Sequence, residues 1–324
     1  MGTPCPDGCS SSSFDLYCGV LAVPEYPRYT AAMSSPEPFS DAINRLWQPR
    51  PSLSACLRGV MSRNTLGVAL TDVQRFNHFP ATPLCNITWW FAGCSELLEA
   101  GAVASLNSPR TPLPTGCLFG GPHSRPSTSW NPGPVHAMTL LLQPDALHQL
   151  IGIDPRQWVD CMVEVAQVLP PTWLTLCEAV QTAADDDTRV QLIEDFLDPL
   201  WQAARPHQVL NTQRYHDWAE SLALRAATSG MGRSLRQVER RIKQWTGQPL
   251  RGLRGLGRAE QAFFGAMAAQ EQGHLNWTDV AADSGYADQS HLCRETRRVT
   301  GFAPEALRQR LAEDEGFWSY RLWK

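Results

Sequence analysis

Arg294, Arg297 and Arg298 lie within five residues of one another in "SGYADQSHLCRETRRVTGFAP", residues 284–304, a run with few apolar side chains. Guanidinium groups in such a cluster are planar, permanently charged donors that suit phosphate oxygens and the O6/N7 edge of guanine. A helix turns about 100° per residue. One that opens near Gln289 therefore carries Leu292, Thr296 and Val299 on one side and Ser290, Arg294 and Arg297 on the other. His291 and Arg298 flank the second group. One face can pack and the other can donate.

The same arrangement occurs 54 residues earlier. Val238, Ile242 and Trp245 repeat the packing stripe, and Arg236, Arg240 and Lys243 repeat the basic one. Both runs end in Thr-Gly (Thr246-Gly247 and Thr300-Gly301), where glycine can take the left-handed conformation that closes a helix. Proline follows each, at 249 and 304. A solvated amphipathic surface helix would account for one such run, since exposed charge is ordinary. It accounts poorly for two that agree in face, terminator and period.

Elements ahead of each run must aim it. "NWTDVAADSGYAD" reads as a short helix capped by Asn276, a turn at Gly285, and Asp288 capping the next helix. A first helix, a glycine-containing turn and a second helix that enters the major groove make a helix-turn-helix. For the earlier run, Leu222 to Thr228 supplies the leading helix, and "SGMGRS" leaves the turn register loose. The two units span about 222–247 and 276–301.

Charge divides along the same line. Residues 211–324 hold 17 Lys and Arg against 13 Asp and Glu, whereas residues 1–210 hold 11 against 19. Arg233 to Arg258 carries eight basic side chains and one acid, Glu239. Only the back of the chain is suited to a polyanion. Residues 1–45 are rich in Ser and Pro without a sustained period and read as a disordered lead-in, within which Met33 offers an alternative start.

Residues 46–207 form a separate front domain. "LGVALTDV" (66–73), "NITWWF" (86–91) and "VHAMTLLL" (135–142) read as strands, with Ile87, Trp89 and Phe91 on one face of the second. Asp154, Pro155 and Gln157 open a helix through Trp158, Met162, Val165 and Leu169 that Pro170 and Pro171 stop. Further helices follow at 172–184 and 188–204, separated by "AADDD" as a solvated turn. The expected class is α+β, a mostly-β front with trailing helices and an all-α back, residues 208–324. No run approaches the ~18 apolar residues of a membrane span. No basic and apolar leader opens the chain, so a cytoplasmic protein is expected.

"VAADSGYADQSHLCRETRRVTGFAPEALR" resembles the second helix-turn-helix of AraC/XylS-type transcriptional regulators, and "SLRQVERRIKQWTG" is similar to the first. The resemblance covers roughly 215–312; more loosely, "FGGPHSRP" and "LLLQPDALHQLIGI" resemble the N-terminal domain of a subgroup of these proteins. It implies a cupin-like barrel or sandwich that senses a signal or dimerises, and sequence-specific binding to double-stranded promoter DNA. Carried over by position, Arg236, Glu239 and Arg240 would meet base edges from the first recognition helix, and Ser290, Cys293 and Arg294 from the second. Arg241, Lys243, His291, Arg297 and Arg298 would hold phosphates. Arg258 to Gln270 resembles the connecting helix. RNA polymerase, a small-molecule effector and a second copy of the chain are further partners the resemblance allows; no cofactor or membrane is implied.

Three departures bear on rigidity. Leu292 and Thr296 stand where the family usually has phenylalanine, Pro249 is one residue early, and "RGLRGLG" places glycines in the connecting segment, each costing about 0.5–1 kcal/mol of helix stability.

The rival reading is a cysteine-based enzyme or a thiol or metal sensor built on the front domain. Ten cysteines are present, with Cys85 and Cys94 the candidates for a reactive thiol and Cys5, Cys9 and Cys18 clustered near the start without zinc-site spacing. His78, His123 and His136 can be read as metal ligands or, more simply, as loop or core histidines. Trp89 and Trp90 can be read as a ligand pocket or as core. No G-x-S-x-G, phosphate-cradling glycine loop or H-E-x-x-H is found.

Overall fold

Strand β2 (Leu57–Asn64) shows how the front of the chain is built. Leu57 and Val60 enter a core shared with helices, and Ser62 donates to Asp186 on that same side. Arg58 and Arg63 reach the other way, to Glu260 and Glu315 in the back of the chain. Strict alternation cannot put Leu57 and Val60 on one face; a bulge between Leu57 and Gly59 adds a residue and resets the phase. The sheet therefore has two covered faces.

A computed structural model of the chain describes residues 43–206, 214–229 and 234–323. The strands around β2 are β1 (Asn44–Trp47), β3 (Phe76–Phe79), β4 (Cys85–Ala92), β5 (Glu96–Leu98), β6 (Arg110–Pro112), β7 (Cys117–Gly120), β8 (Ser127–Trp130), β9 (His136–Leu142) and β10 (Met162–Glu164). They form two antiparallel sheets, ordered β1-β2-β9-β4-β7-β10 and β3-β8-β5-β6. Helices α1 (Pro144–Ile151), α2 (Pro171–Thr182) and α3 (Asp186–Ala204) cover one face of the larger sheet, over Ile87, Trp89, Phe119, Met138 and Leu140. The mostly-β front with trailing helices and the helical back agree with the expected class. Most of the 1–45 lead-in, including Met33, lies outside the described residues, but Ile43 is buried and β1 begins at Asn44.

Several expected elements are corrected. Residues 66–73 are not a strand: Val68 N–H turns back to Thr65 O and Gly67 takes φ +80°, ending β2. No helix runs from Asp154 to Leu169. Asp154 does cap, accepting from Arg156 N–H, but only a short 3-10 turn over Pro155–Trp158. Asp160 then adopts φ +59°, held by Ser124, whose N–H and Oγ–H both donate to its carboxylate at 2.6 Å. That left-handed residue breaks helical propagation, and β10 satisfies the open edge of β7 instead. Pro171 starts α2 rather than stopping a helix. The "AADDD" turn is only partly solvated: Asp185 caps α3, while Asp186 accepts from Ser62 and Arg189 and lies 3.0 Å from His136 Nε2.

The three histidines have packing explanations. His136 sits between Asp186 and the Phe91 ring, and His123 bridges to Thr82 through the backbone. His78 stacks on Phe317 at 4.5 Å and meets Phe302 edge-on. Burial, opposed by Asp314 and aided by Arg310, pushes its pKa down to about 4. The unfolded chain then binds a proton that the folded one refuses, so stability is full above pH 6.5 and falls as pH drops from there toward 4. Denaturant unfolding should give about 2 kcal/mol less stability from this group at pH 5 than at pH 7, and His78→Phe should remove that portion.

The back of the chain comprises α4 (Tyr215–Thr228), α5 (Leu235–Thr246), α6 (Leu250–Glu271), α7 (Trp277–Asp283), α8 (Gln289–Thr300), α9 (Pro304–Glu313) and α10 (Trp318–Arg321). The connecting helix α6 is longer than expected and contains every glycine of "RGLRGLG". A Cβ at Gly257 would lie 2.9 Å from the backbone of His216 on α4, and one at Gly255 would lie 3.1 Å from Arg298 on α8. Gly257 lets α6 cross α4 closely, so its cost in helix propensity accompanies tighter packing, whereas Gly255 faces only the tip of a flexible side chain.

Candidate nucleic-acid interface

Each helix-turn-helix starts from a cap. Asn276 accepts from Thr278 N–H at 2.9 Å to open α7, and Asp288 accepts from His291 N–H at 2.6 Å to open α8. Between them Gly285 takes φ +72°. In the first unit Ser234 caps α5 through Gln237 N–H, while most of its turn, residues 230–233, lies outside the described residues. The leading helix α4 begins at Tyr215, seven residues before its expected start.

The packing stripes fall inward. Ile242 is buried with Val238 and Trp245 against α4 and α6, and Leu292 is buried against Ala262, Ala266, Val280 and Tyr286. Thr296, expected to pack, is half-buried. Arg236, Arg240 and Lys243 are exposed on α5, as are Ser290, Arg294, Arg297 and Arg298 on α8, with Cys293 and His291 half-buried beside them. Arg298 also pairs with Glu295 at 3.0 Å.

Two expected contacts are engaged elsewhere. Arg241 turns inward, its Nη1 donating to Ala226 O at 2.8 Å where α4 ends. The exposed Glu239 carboxylate accepts from Leu250 N–H at 3.3 Å, where α6 begins after Pro249. The early proline thus still opens a helix, with Glu239 supplying an acceptor for an otherwise unpaired amide.

Both recognition helices end in the same hydrogen-bonded device. Thr246 Oγ donates to Ile242 O at 2.8 Å and accepts from Gln248 N–H; Thr300 Oγ donates to Thr296 O at 2.7 Å and accepts from Phe302 N–H. Gly247 and Gly301 follow at φ +75° and +85°. The repeated threonine was visible in the sequence, but its task was not.

These two ends also rest on the β-rich front. A Cβ at Gly247 would lie 2.9 Å from Pro155 O, and Ala81 N–H donates to Val299 O at 2.7 Å. Three carboxylates strengthen the junction. Asp145 on α1 accepts from Trp218 and Arg225 of α4; Glu260 on α6 accepts from Arg58 and Tyr215 N–H; Glu315 accepts from Arg63 and Arg321. Local sequence reasoning missed all three because their partners lie far along the chain.

Residues 267–309 match the family model for bacterial regulatory helix-turn-helix proteins, AraC family. The second unit is an AraC-type helix-turn-helix. The match starts inside α6 and omits the first unit, whose likeness to the AraC-type module rests on the repeated caps, stripes and Thr-Gly closure. No curated protein matches the chain. Among solved structures, the apo form of a ToxT variant from Vibrio cholerae strain SCE256 is similar over 76% of this chain and 96% of its own, at 10% identity and TM-score 0.35. ToxT from Vibrio cholerae O395 is similar over 74% and 95%, at 11% identity and TM-score 0.33. These backbones correspond loosely, so the DNA-binding assignment stands on the AraC-type match and the exposed arginines.

The candidate thiols differ in setting. Cys85 is fully buried, and burial drives its pKa upward, which suppresses the nucleophilic thiolate. Cys94 is half-buried, and Cys5, Cys9 and Cys18 lie outside the described residues. Trp89 is core, with its Nε1 donating to Cys177 O, whereas Trp90 is half-buried. No described helix is long and apolar enough to cross a membrane.

Proposed function

We propose that this protein is a sequence-specific transcription regulator whose front domain governs how two recognition helices meet promoter DNA. One observation carries the reading. The two basic helices close with the same Thr-Gly turn, and both closures are seated on the β-rich part while Arg236, Arg240, Arg294 and Arg297 remain exposed. A front domain holding both helix ends can set their separation and tilt. A signal that changes its packing would then change the fit to two successive stretches of major groove.

Arg240 and Arg294 are assigned to bases, because they occupy equivalent exposed positions and guanine accepts two parallel bonds from one guanidinium. Lys243, Arg297 and Arg298 are assigned to phosphates. In a mobility-shift assay with promoter fragments, Arg294→Ala should cost about 1–3 kcal/mol and relax preference at one base position. Equal weakening on every sequence would reassign Arg294 to a phosphate, and unaltered binding would remove it from the interface.

A further inference from the structure

Between the sheet and the AraC-type module lies a cavity of about 230 Å³. Met61 comes from β2, Phe263 and Ala266 from α6, and Leu292 from α8. Apolar groups dominate its wall, but two of the lining residues carry donors with no partner. Arg58 is almost wholly buried; its Nη2 pairs with Glu260, and its Nη1 has no hydrogen-bond partner. Tyr320 is buried, and its hydroxyl likewise lacks a partner. Buried donors left unpaired carry a desolvation penalty, so two in the wall of one apolar cavity suit a bound acceptor.

We infer that this cavity binds a small, uncharged, largely apolar molecule bearing one oxygen acceptor, a hydroxyl or carbonyl, placed toward Arg58 and Tyr320. Neutrality follows from charge. Glu260 already balances the Arg58 guanidinium at 2.7 Å, so a carboxylate would add an uncompensated anion to an apolar space. Size follows from volume. A 150 Å³ apolar cavity accommodates benzene, which by proportion gives this one roughly nine non-hydrogen atoms. The occupant touches the sheet, both helices and the C-terminal segment together, so it stabilises the docked arrangement of front and back. Its effect on DNA rests on the regulator reading above; its binding does not.

The full-length protein is titrated with 1-octanol and, separately, with octanoate, followed by tryptophan fluorescence and thermal midpoint without DNA. Octanol is expected to bind saturably and raise the midpoint, with octanoate about tenfold weaker or worse. Tyr320→Phe should weaken octanol by about two- to tenfold, the loss of one hydrogen bond. Ala266→Phe, which fills the cavity, should abolish it; if that variant does not fold, the Tyr320→Phe comparison decides. Absence of octanol binding, or equal affinity in Tyr320→Phe, overturns the site, and tighter binding of octanoate overturns the neutral class. Promoter affinity of the same preparation, measured without additive, separates failure of this site from failure of the regulator assignment.

Discussion

Glu315→Gln should destabilise the folded protein by about 3–5 kcal/mol, the usual consequence of removing one partner from a buried ion pair. Glu315 and Arg63 retain only 2% and 5% of their side-chain exposure, and the carboxylate also accepts from Arg321 at 3.1 Å. Glutamine leaves two guanidinium groups facing a neutral amide, with Asn44 the remaining acceptor for Arg63. Thermal unfolding should register a fall of roughly 10 °C, at about 2–4 °C per kcal/mol for a domain of 150–250 residues. Replacing both partners with apolar residues, Arg63→Met with Glu315→Leu, should recover much of the loss, because the desolvation of the pair disappears along with its attraction. A loss below about 1 kcal/mol in the single variant would match an exposed pair and show that the C-terminal segment is not docked as described.

That segment illustrates which parts of the structure local reasoning can reach. The recognition helices were legible because caps, stripes and terminators are set by residues three or four apart: Ser234 with Gln237, Asp288 with His291, and each glycine with the helix it closes. The pairs joining front to back span 80, 202 and 252 residues, and no periodicity announces them. Spacing itself also misled. Trp158, Met162, Val165 and Leu169 are spaced as in a helix, yet Trp158 and Val165 fall in 3-10 turns, Met162 in an edge strand and Leu169 beyond them, once Asp160 turns left-handed. Gly257 of α6 reads locally as weakness and structurally as a close crossing with α4. Glu239 and Arg241 lie on a helix whose pattern pointed them outward, but the ends of α6 and α4 offered unpaired backbone groups within reach.

The inward turn of Arg241 also sharpens the expected electrolyte dependence of DNA binding. Its guanidinium is engaged at the end of α4, which leaves Arg236, Arg240 and Lys243 on α5 and Arg294, Arg297 and Arg298 on α8 as exposed cations. With Arg240 and Arg294 spent on bases, about four phosphate contacts remain, giving a log–log slope of affinity against salt near −3.6. Affinity should then fall roughly 150-fold between 50 and 200 mM monovalent salt, a change as large as the upper end of what loss of one base contact produces. A flat slope would exclude groove binding by these helices. Engagement by only one unit would approximately halve the slope, so the measurement also tests whether the two basic faces meet the same duplex. Lys243→Ala and Arg297→Ala should each reduce the slope by about one on every sequence tested. If only substitutions on α8 did so, α5 would be a structural partner of the AraC-type helix-turn-helix rather than a second reader of DNA.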